Sequence, residues 1–275
     1  MRQAIEWPRT KRSAYKSLGL VPPRGILLHG PPGCAKTTLA RAAAGTSGIA
    51  FLSLSPAEVY ASSYVGEAEA IVRRAFTLAR SAAPCILFFD EIDSIFGGGN
   101  TAGGHGMDRS GSRGSSAEAR VLSTFLNEMD GIDGTGDDGV LVLGATNRPW
   151  TLDSALLRPG RLGDRIIYVP PPDFEARRSI LEMQCRHWRI EEEKLDVDYM
   201  ASESITGGMT GAEIIGACRE ASMRILRETN LGDLDVLPVM KMEYLTEALR
   251  ELKPLLSSPH VVQEFQLFEK SRTRN

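Results

Sequence analysis

The sequence predicts an α/β protein: a five-stranded parallel sheet covered by helices, followed by a small helical domain. Two observations carry this. Five short apolar runs are bounded by turn or helix signals, and helical patterns lie between most of them. Beyond Pro170-Pro171-Pro172-Asp173 the strand signal ends and only helical patterns continue. Strands alternating with helices argue for a parallel sheet with both faces covered.

The apolar runs are Gly25–His29, Ala50–Leu54, Cys85–Phe89, Val140–Ala145 and Arg165–Val169, and all five read as strands buried on both faces. The helical patterns among them cover Lys36–Ala44, Glu67–Ser81 and Ser115–Met129. The proline run cannot continue a strand, and Asp173 suits the N-cap of a following helix. It divides the chain into a large α/β domain over 1–172 and a small helical domain over 173–275. In the second part the patterns cover Phe174–His187, Gly211–Glu228, Lys241–Leu252 and Pro259–Glu269. The glycine-rich polar stretch Gly97–Gly114 is expected to be disordered, since it has little apolar surface to bury.

With 275 residues, 42% of them apolar, the chain is long enough for a sizeable core. Its net charge of −3 supplies no basic footprint for nucleic acid. Cys34, Cys85, Cys185 and Cys218 show no metal-ligand spacing, which points to reduced thiols and a cytoplasmic or nuclear setting. No apolar run approaches the length of a membrane span, so no membrane partner is expected.

Gly30-Pro31-Pro32-Gly33-Cys34-Ala35-Lys36-Thr37 follows a predicted strand and opens a predicted helix. That is the setting of a Walker A loop, in which backbone N–H groups and a helix N-terminus wrap phosphates. Contacts to ATP are expected from Pro32, Gly33, Cys34, Ala35, Lys36, Thr37 and Thr38. Lys36 would reach the β- and γ-phosphates, and the Thr37 hydroxyl would bind Mg²⁺. Ala35 stands where the pattern usually has glycine. It is harmless if its φ is helical, and weakens binding if φ must be positive or if the methyl group crowds a phosphate.

Ile86-Leu87-Phe88-Phe89-Asp90-Glu91 is a strand that ends in two carboxylates, where an open α/β sheet presents its ligand crevice. Asp90 is suited to organise Mg²⁺, and Glu91 to orient and deprotonate the attacking water. Asp93 reads as a helix cap in preference to a further polar contact.

With these motifs the chain resembles the AAA family of P-loop ATPases over nearly its whole length. Gly144-Ala145-Thr146-Asn147-Arg148-Pro149 is similar to the family's sensor 1 segment, which implies that Asn147 sits beside the γ-phosphate and the lytic water. Leu152–Arg161 resembles the arginine-finger box, which implies that Arg158 and Arg161 act in a neighbouring subunit's site. Ser63-Tyr64-Val65-Gly66 occupies the place of the first pore loop, with Tyr64 and Val65 as the substrate-gripping pair, and Gly97–Gly114 that of the second. Met209-Thr210-Gly211-Ala212-Glu213 looks like the sensor 2 region, where Gly211 and Ala212 approach the nucleotide.

Within the family, the second ATPase domain of the valosin-containing-protein branch fits best. The Gly-Cys-Ala-Lys-Thr loop is similar to that of the spermatogenesis-associated and ribosome-biogenesis members. The resemblance implies a homo- or hetero-hexameric ring, ATP and Mg²⁺ as cofactors, and a protein substrate threaded through the pore. It departs from the pattern at Ala35, at Gly163, which reads as a one-residue insertion, and at Gln184, where many relatives have histidine. The start at Met1 falls inside a segment that resembles the family's lead-in helix, which suggests a fragment of a longer chain. A nucleotide-binding assembly module with little hydrolysis is the alternative. A DNA-translocating motor fits less well, given the net charge and the aromatic pore loop.

Overall fold

The computed structural model describes residues 1–61, 64, 66–97, 114–132, 139–186, 188, 196–228, 239–257 and 259–272. Five parallel strands form its sheet: β1 (Gly25–His29), β2 (Ala50–Leu54), β3 (Cys85–Phe89), β4 (Val140–Thr146) and β5 (Arg165–Tyr168). Their order is β2-β3-β4-β1-β5, so β3, β4 and β1 occupy the middle. Those three are buried along their full length. The edge strands β2 and β5 are exposed at several positions, contrary to the expectation of five strands buried on both faces. An edge strand has a neighbour on one side only, so part of each stays open to solvent.

Helices in the first part are α1 (Arg2–Thr10), α2 (Arg12–Ser17), α3 (Lys36–Ser47), α4 (Pro56–Val59), α5 (Glu67–Ser81), α6 (Ile92–Phe96) and α7 (Gly114–Asp130). Strand side chains alternate between two cores. Leu27, Leu87, Phe89 and Val142 meet the apolar faces of α5, α6 and α7. On the opposite face Ile26, Leu28, Phe88 and Leu143 meet Ala4 and Ile5 of α1 and Ala40 and Ala44 of α3. The first core centres on aromatic rings: Phe125 lies 4.6 Å from Phe96, 5.0 Å from Phe89 and 5.7 Å from Phe76, centroid to centroid.

The later helices are α8 (Phe174–Cys185), α9 (Val197–Ala201), α10 (Glu203–Thr206), α11 (Gly211–Glu228), α12 (Met242–Glu251) and α13 (Pro259–Arg272). Asp173 caps α8 by accepting the Ala176 N–H at 2.9 Å. Along α11, Ile214, Ala217, Cys218, Ala221 and Ile225 recur at helical spacing and pack with Leu181, Met200, Leu245 and Leu249 in a separate core. Arg177 is buried there, held by the Glu203 carboxylate at 2.8 Å and the Ala201 carbonyl at 3.0 Å. The chain divides into two compact units, Met1–Gly30 with Lys36–Val169, and Pro31–Ala35 with Pro170–Asn275.

All four cysteines are free and buried. Burial pushes the Cys218 thiol up to about 12, with Cys185 adding to the shift, so it stays protonated at neutral pH. Among the described residues no helix is long and apolar enough to cross a membrane.

The ring cluster generates a stability prediction. Phe125→Ala removes the ring shared by three aromatic contacts and should cost about 3–5 kcal/mol. Urea denaturation checks it; a loss under about 1 kcal/mol would show that the cluster collapses around the gap.

Candidate nucleotide site

The middle strands β1, β3 and β4 run parallel and end on one edge of the sheet, where side chains leave the core. Beyond β1 comes Gly30, whose carbonyl accepts a hydrogen bond from Lys36 Nζ at 2.9 Å. A Cβ on Gly30 would stand 2.2 Å from the Val169 carbonyl oxygen, so only glycine lets the chain leave β1 this way. Lys36 is 7% exposed, and its long stem lies buried at the start of α3.

Beyond β3, Asp90 Oδ2 accepts the Thr37 hydroxyl at 2.7 Å, which joins the two residues expected to hold the metal. Two hard oxygen donors side by side suit Mg²⁺. The other Asp90 oxygen accepts the Glu91 N–H at 3.0 Å. Glu91 itself is exposed and left-handed, with φ 44° and ψ 49°. Such a backbone is costly for a residue with a side chain, and strain of this kind gathers at functional sites.

Beyond β4, Asn147 is half-buried. The preceding Thr146 donates to Asp93 Oδ1 at 2.8 Å. Asp93 was expected to cap a helix; α6 starts with Glu91 as its N-cap and no side-chain cap bond, and Asp93 serves β4 instead.

The expected arginine pair occupies two different settings. Arg158 is exposed. Arg161 grips Asp130 with two bonds, Nε to Oδ1 at 2.9 Å and Nη2 to Oδ2 at 2.7 Å, and donates from Nη1 to the Ala155 carbonyl at 2.8 Å. Those hydrogen bonds hold the Asp130 carboxyl below its ordinary value. Gly163, which the sequence reads as an insertion, lies in a short turn over Leu162–Asp164, after which β5 pairs Arg165 with Ile26. A Cβ on Gly163 would fall 1.9 Å from the Leu157 carbonyl oxygen, so that turn requires glycine. Asp164 closes the loop by accepting the N–H groups of Arg24 at 2.8 Å and Gly160 at 2.7 Å.

Tyr64 is 82% exposed, ahead of α5. Val65 and Ser63 lie outside the described residues, as does Gly97–Gly114 apart from its two end glycines.

In the second unit, Pro31–Ala35 lies against the start of α11. The Gly33 carbonyl accepts the Ala212 N–H at 3.2 Å. A Cβ on Gly33, whose φ is +78°, would stand 2.8 Å from Thr210 Oγ1 and 2.9 Å from the Ala212 Cβ. Thr210 and Glu213 form a reciprocal cap, with the Thr210 N–H and hydroxyl donating to Glu213 Oε2 at 2.7 and 2.9 Å. The Thr-x-x-Glu spacing of a capping box was there to find it. Asp93, Thr146 and Asp130 carried no such signal, because their partners are distant in sequence. Cys34 is buried, while Pro32, Gly33, Ala35 and Thr38 are exposed. Gly211 and Gln184 are half-buried, on α11 and α8.

Comparison with known proteins now bears on this arrangement. Residues 26–171 match the family described as "ATPase family associated with various cellular activities (AAA)". The chain is 44% identical over 275 residues to the "Cell division control protein 48 homolog B" of Arabidopsis thaliana, covering all of this chain and 42% of that protein. It is 44% identical over 239 residues to the "ATPase family gene 2 protein" of Saccharomyces cerevisiae, covering 87% of this chain and 28% of that one. To the human "ATPase family gene 2 protein homolog A" it is 42% identical over 255 residues, with 92% and 26% covered. The chain therefore spans less than half the length of these relatives.

Ala35 supplies a prediction. Its φ is +59°, so of the two backbone alternatives Ala35 takes the left-handed one rather than the helical one. Ala35→Gly should relieve about 1–2 kcal/mol, offset by about 0.5–1 kcal/mol of added chain entropy. The variant should therefore be more stable in urea, by up to about 1.5 kcal/mol; a less stable variant would show that the methyl group makes a contact worth more than the strain.

Proposed function

This chain belongs to the AAA family of ATPases, and on that premise we propose that it binds Mg²⁺-ATP and hydrolyses it as a subunit of a homo- or hetero-hexameric ring. The observation that carries the reading is the hydrogen bond between Thr37 and Asp90, which brings the Walker A hydroxyl to the acidic end of β3. A phosphate chain there would take Lys36 from the Gly30 carbonyl, exchanging a neutral acceptor for a charged one. Mg²⁺ bound by Thr37 and Asp90 would neutralise charge between the β- and γ-phosphates. Glu91 takes the proton of the attacking water, and Asn147 orients that water. Pro32, Gly33, Cys34, Ala35 and Thr38 line the phosphates, with Gly211 and Ala212 as further nucleotide contacts.

We assign the two arginines separate tasks. Arg158, exposed and on a loop braced by Arg161, delivers its charge to the next subunit. Arg161 holds that loop through Asp130 and Ala155. Exposed Tyr64, with Val65, grips an extended polypeptide, so hydrolysis drives remodelling of protein complexes in the cytoplasm or nucleus. The relatives named for an ATPase family support the ATP-hydrolysing part of this reading, and the resemblance of the Gly-Cys-Ala-Lys-Thr loop to ribosome-biogenesis members puts ribosome-assembly particles among the proposed substrates. The left-handed Ala35 favours one competitor, a module that binds nucleotide for assembly and turns it over little.

Steady-state turnover at concentrations high enough for assembly separates the two. Glu91→Gln should bind ATP with unchanged affinity and lose nearly all turnover. Lys36→Ala should lose ATP binding in calorimetry, and near wild-type affinity there would defeat the phosphate-loop assignment.

The trans arginine gives a sharper test. Arg158→Ala should keep ATP affinity within a few-fold while turnover falls by about 10³–10⁵. Mixing it with Lys36→Ala should restore part of the rate, since the second protein still carries Arg158. If the two co-assemble and stay inactive at every ratio, Arg158 does not act across an interface.

A further inference from the structure

We infer that Asp93 and Thr146 form a strut that sets Asn147 relative to Glu91, making both positioning residues for the hydrolytic step proposed above, on which this inference rests. Thr146 ends β4 and is 1% exposed. Its hydroxyl donates to Asp93 Oδ1 at 2.8 Å, and Thr146 Oγ1 in turn accepts the Arg148 N–H at 2.9 Å. The direction of both bonds is forced. An amide N–H can only donate, so Thr146 Oγ1 accepts from Arg148 and gives its own single proton to Asp93 Oδ1. Asn147 is thus bracketed: the side chain before it and the amide after it are tied to one buried oxygen.

The other end of the strut reaches Glu91. Asp93 lies two residues beyond it in α6, a helix too short to hold itself by periodic bonds alone. The left-handed torsions of Glu91 are not ones its chain favours, so its place depends on anchors to either side. On one side Asp90 binds both Thr37 and the Glu91 N–H. On the other, Ser94 donates its N–H to the Glu91 carbonyl at 2.8 Å, and Asp93 ties the helix to β4. Base and water-orienting amide therefore belong to one hydrogen-bonded frame.

Thr146→Val keeps shape and removes the hydroxyl, whereas Thr146→Ser keeps the hydroxyl. Two readouts test the strut: hydrogen exchange of the Arg148 amide without nucleotide, and ATP binding against turnover. In Thr146→Val the Arg148 amide should lose protection and ATP affinity should stay within two-fold or so. Its kcat should fall by about 10- to 100-fold, the scale of a misplaced reacting group. Thr146→Ser should recover most of the rate. Asp93→Ala, which breaks the bond from its half-buried end, should lower kcat similarly and add little to Thr146→Val, and it serves if the valine variant folds poorly. Unchanged Arg148 exchange, or a wild-type kcat in both Thr146→Val and Asp93→Ala, overturns the inference. A wild-type chain that binds ATP and never hydrolyses it overturns the ATPase reading instead, while the exchange result still reports whether the strut exists.

Discussion

Three parallel strands buried from end to end confine polar side chains to their last positions, His29 and Thr146, and to the residues beyond them. β1, β3 and β4 are the strands so constrained, and Lys36, Asp90 and Asn147 each stand just past one of them. The apolar layers to either side fix strand spacing and register, because a one-residue slip would exchange the two cores. The geometry at the strand ends is therefore inherited from packing well below it. Loops of ordinary mobility would not bring a Thr37 hydroxyl within 2.7 Å of an aspartate across the sheet.

Above that base the polar groups support one another. Asp90 serves Thr37 and the Glu91 amide, Asp93 serves Thr146, and Asp130 serves Arg161. Each of these carboxylates accepts from a donor placed by a different element. The Asp90 bond to the Glu91 N–H steadies one left-handed residue, Glu91, whose local preference opposes the conformation it holds. Local strain next to long-range hydrogen bonding is the usual balance at a reacting centre.

Much of this was legible in the residues. The strands announced themselves as apolar runs, and the long helices α5 and α11 through apolar positions repeating at helical spacing. The short helices α4, α6, α9 and α10 were not visible, since four or five residues are too few for a period to show. The difference between edge and middle strands was also hidden, because strand order is a property of the crossovers. In the candidate site, the residues read as a phosphate loop and an acidic pair stand out in sequence because each group is contiguous. Asp93 was misread as a cap because an acidic residue near a helix start looks the same in sequence whether it bonds locally or far away. Arg161 and Asp130 lie 31 residues apart, and nothing in either neighbourhood names the other.

The glycines at the two ends of β1 carry a mechanical consequence. Gly25 lies so close to the Arg161 carbonyl that a Cβ would come within 2.5 Å of it, and Gly30 is similarly pressed against Val169. Both ends of the strand thus abut rigid backbone, with hydrogen-bonded neighbours on either side. A strand so wedged has no freedom to slide along its axis. The chain therefore leaves β1 at Gly30 from a fixed point, and neither end of the strand has room for a larger residue.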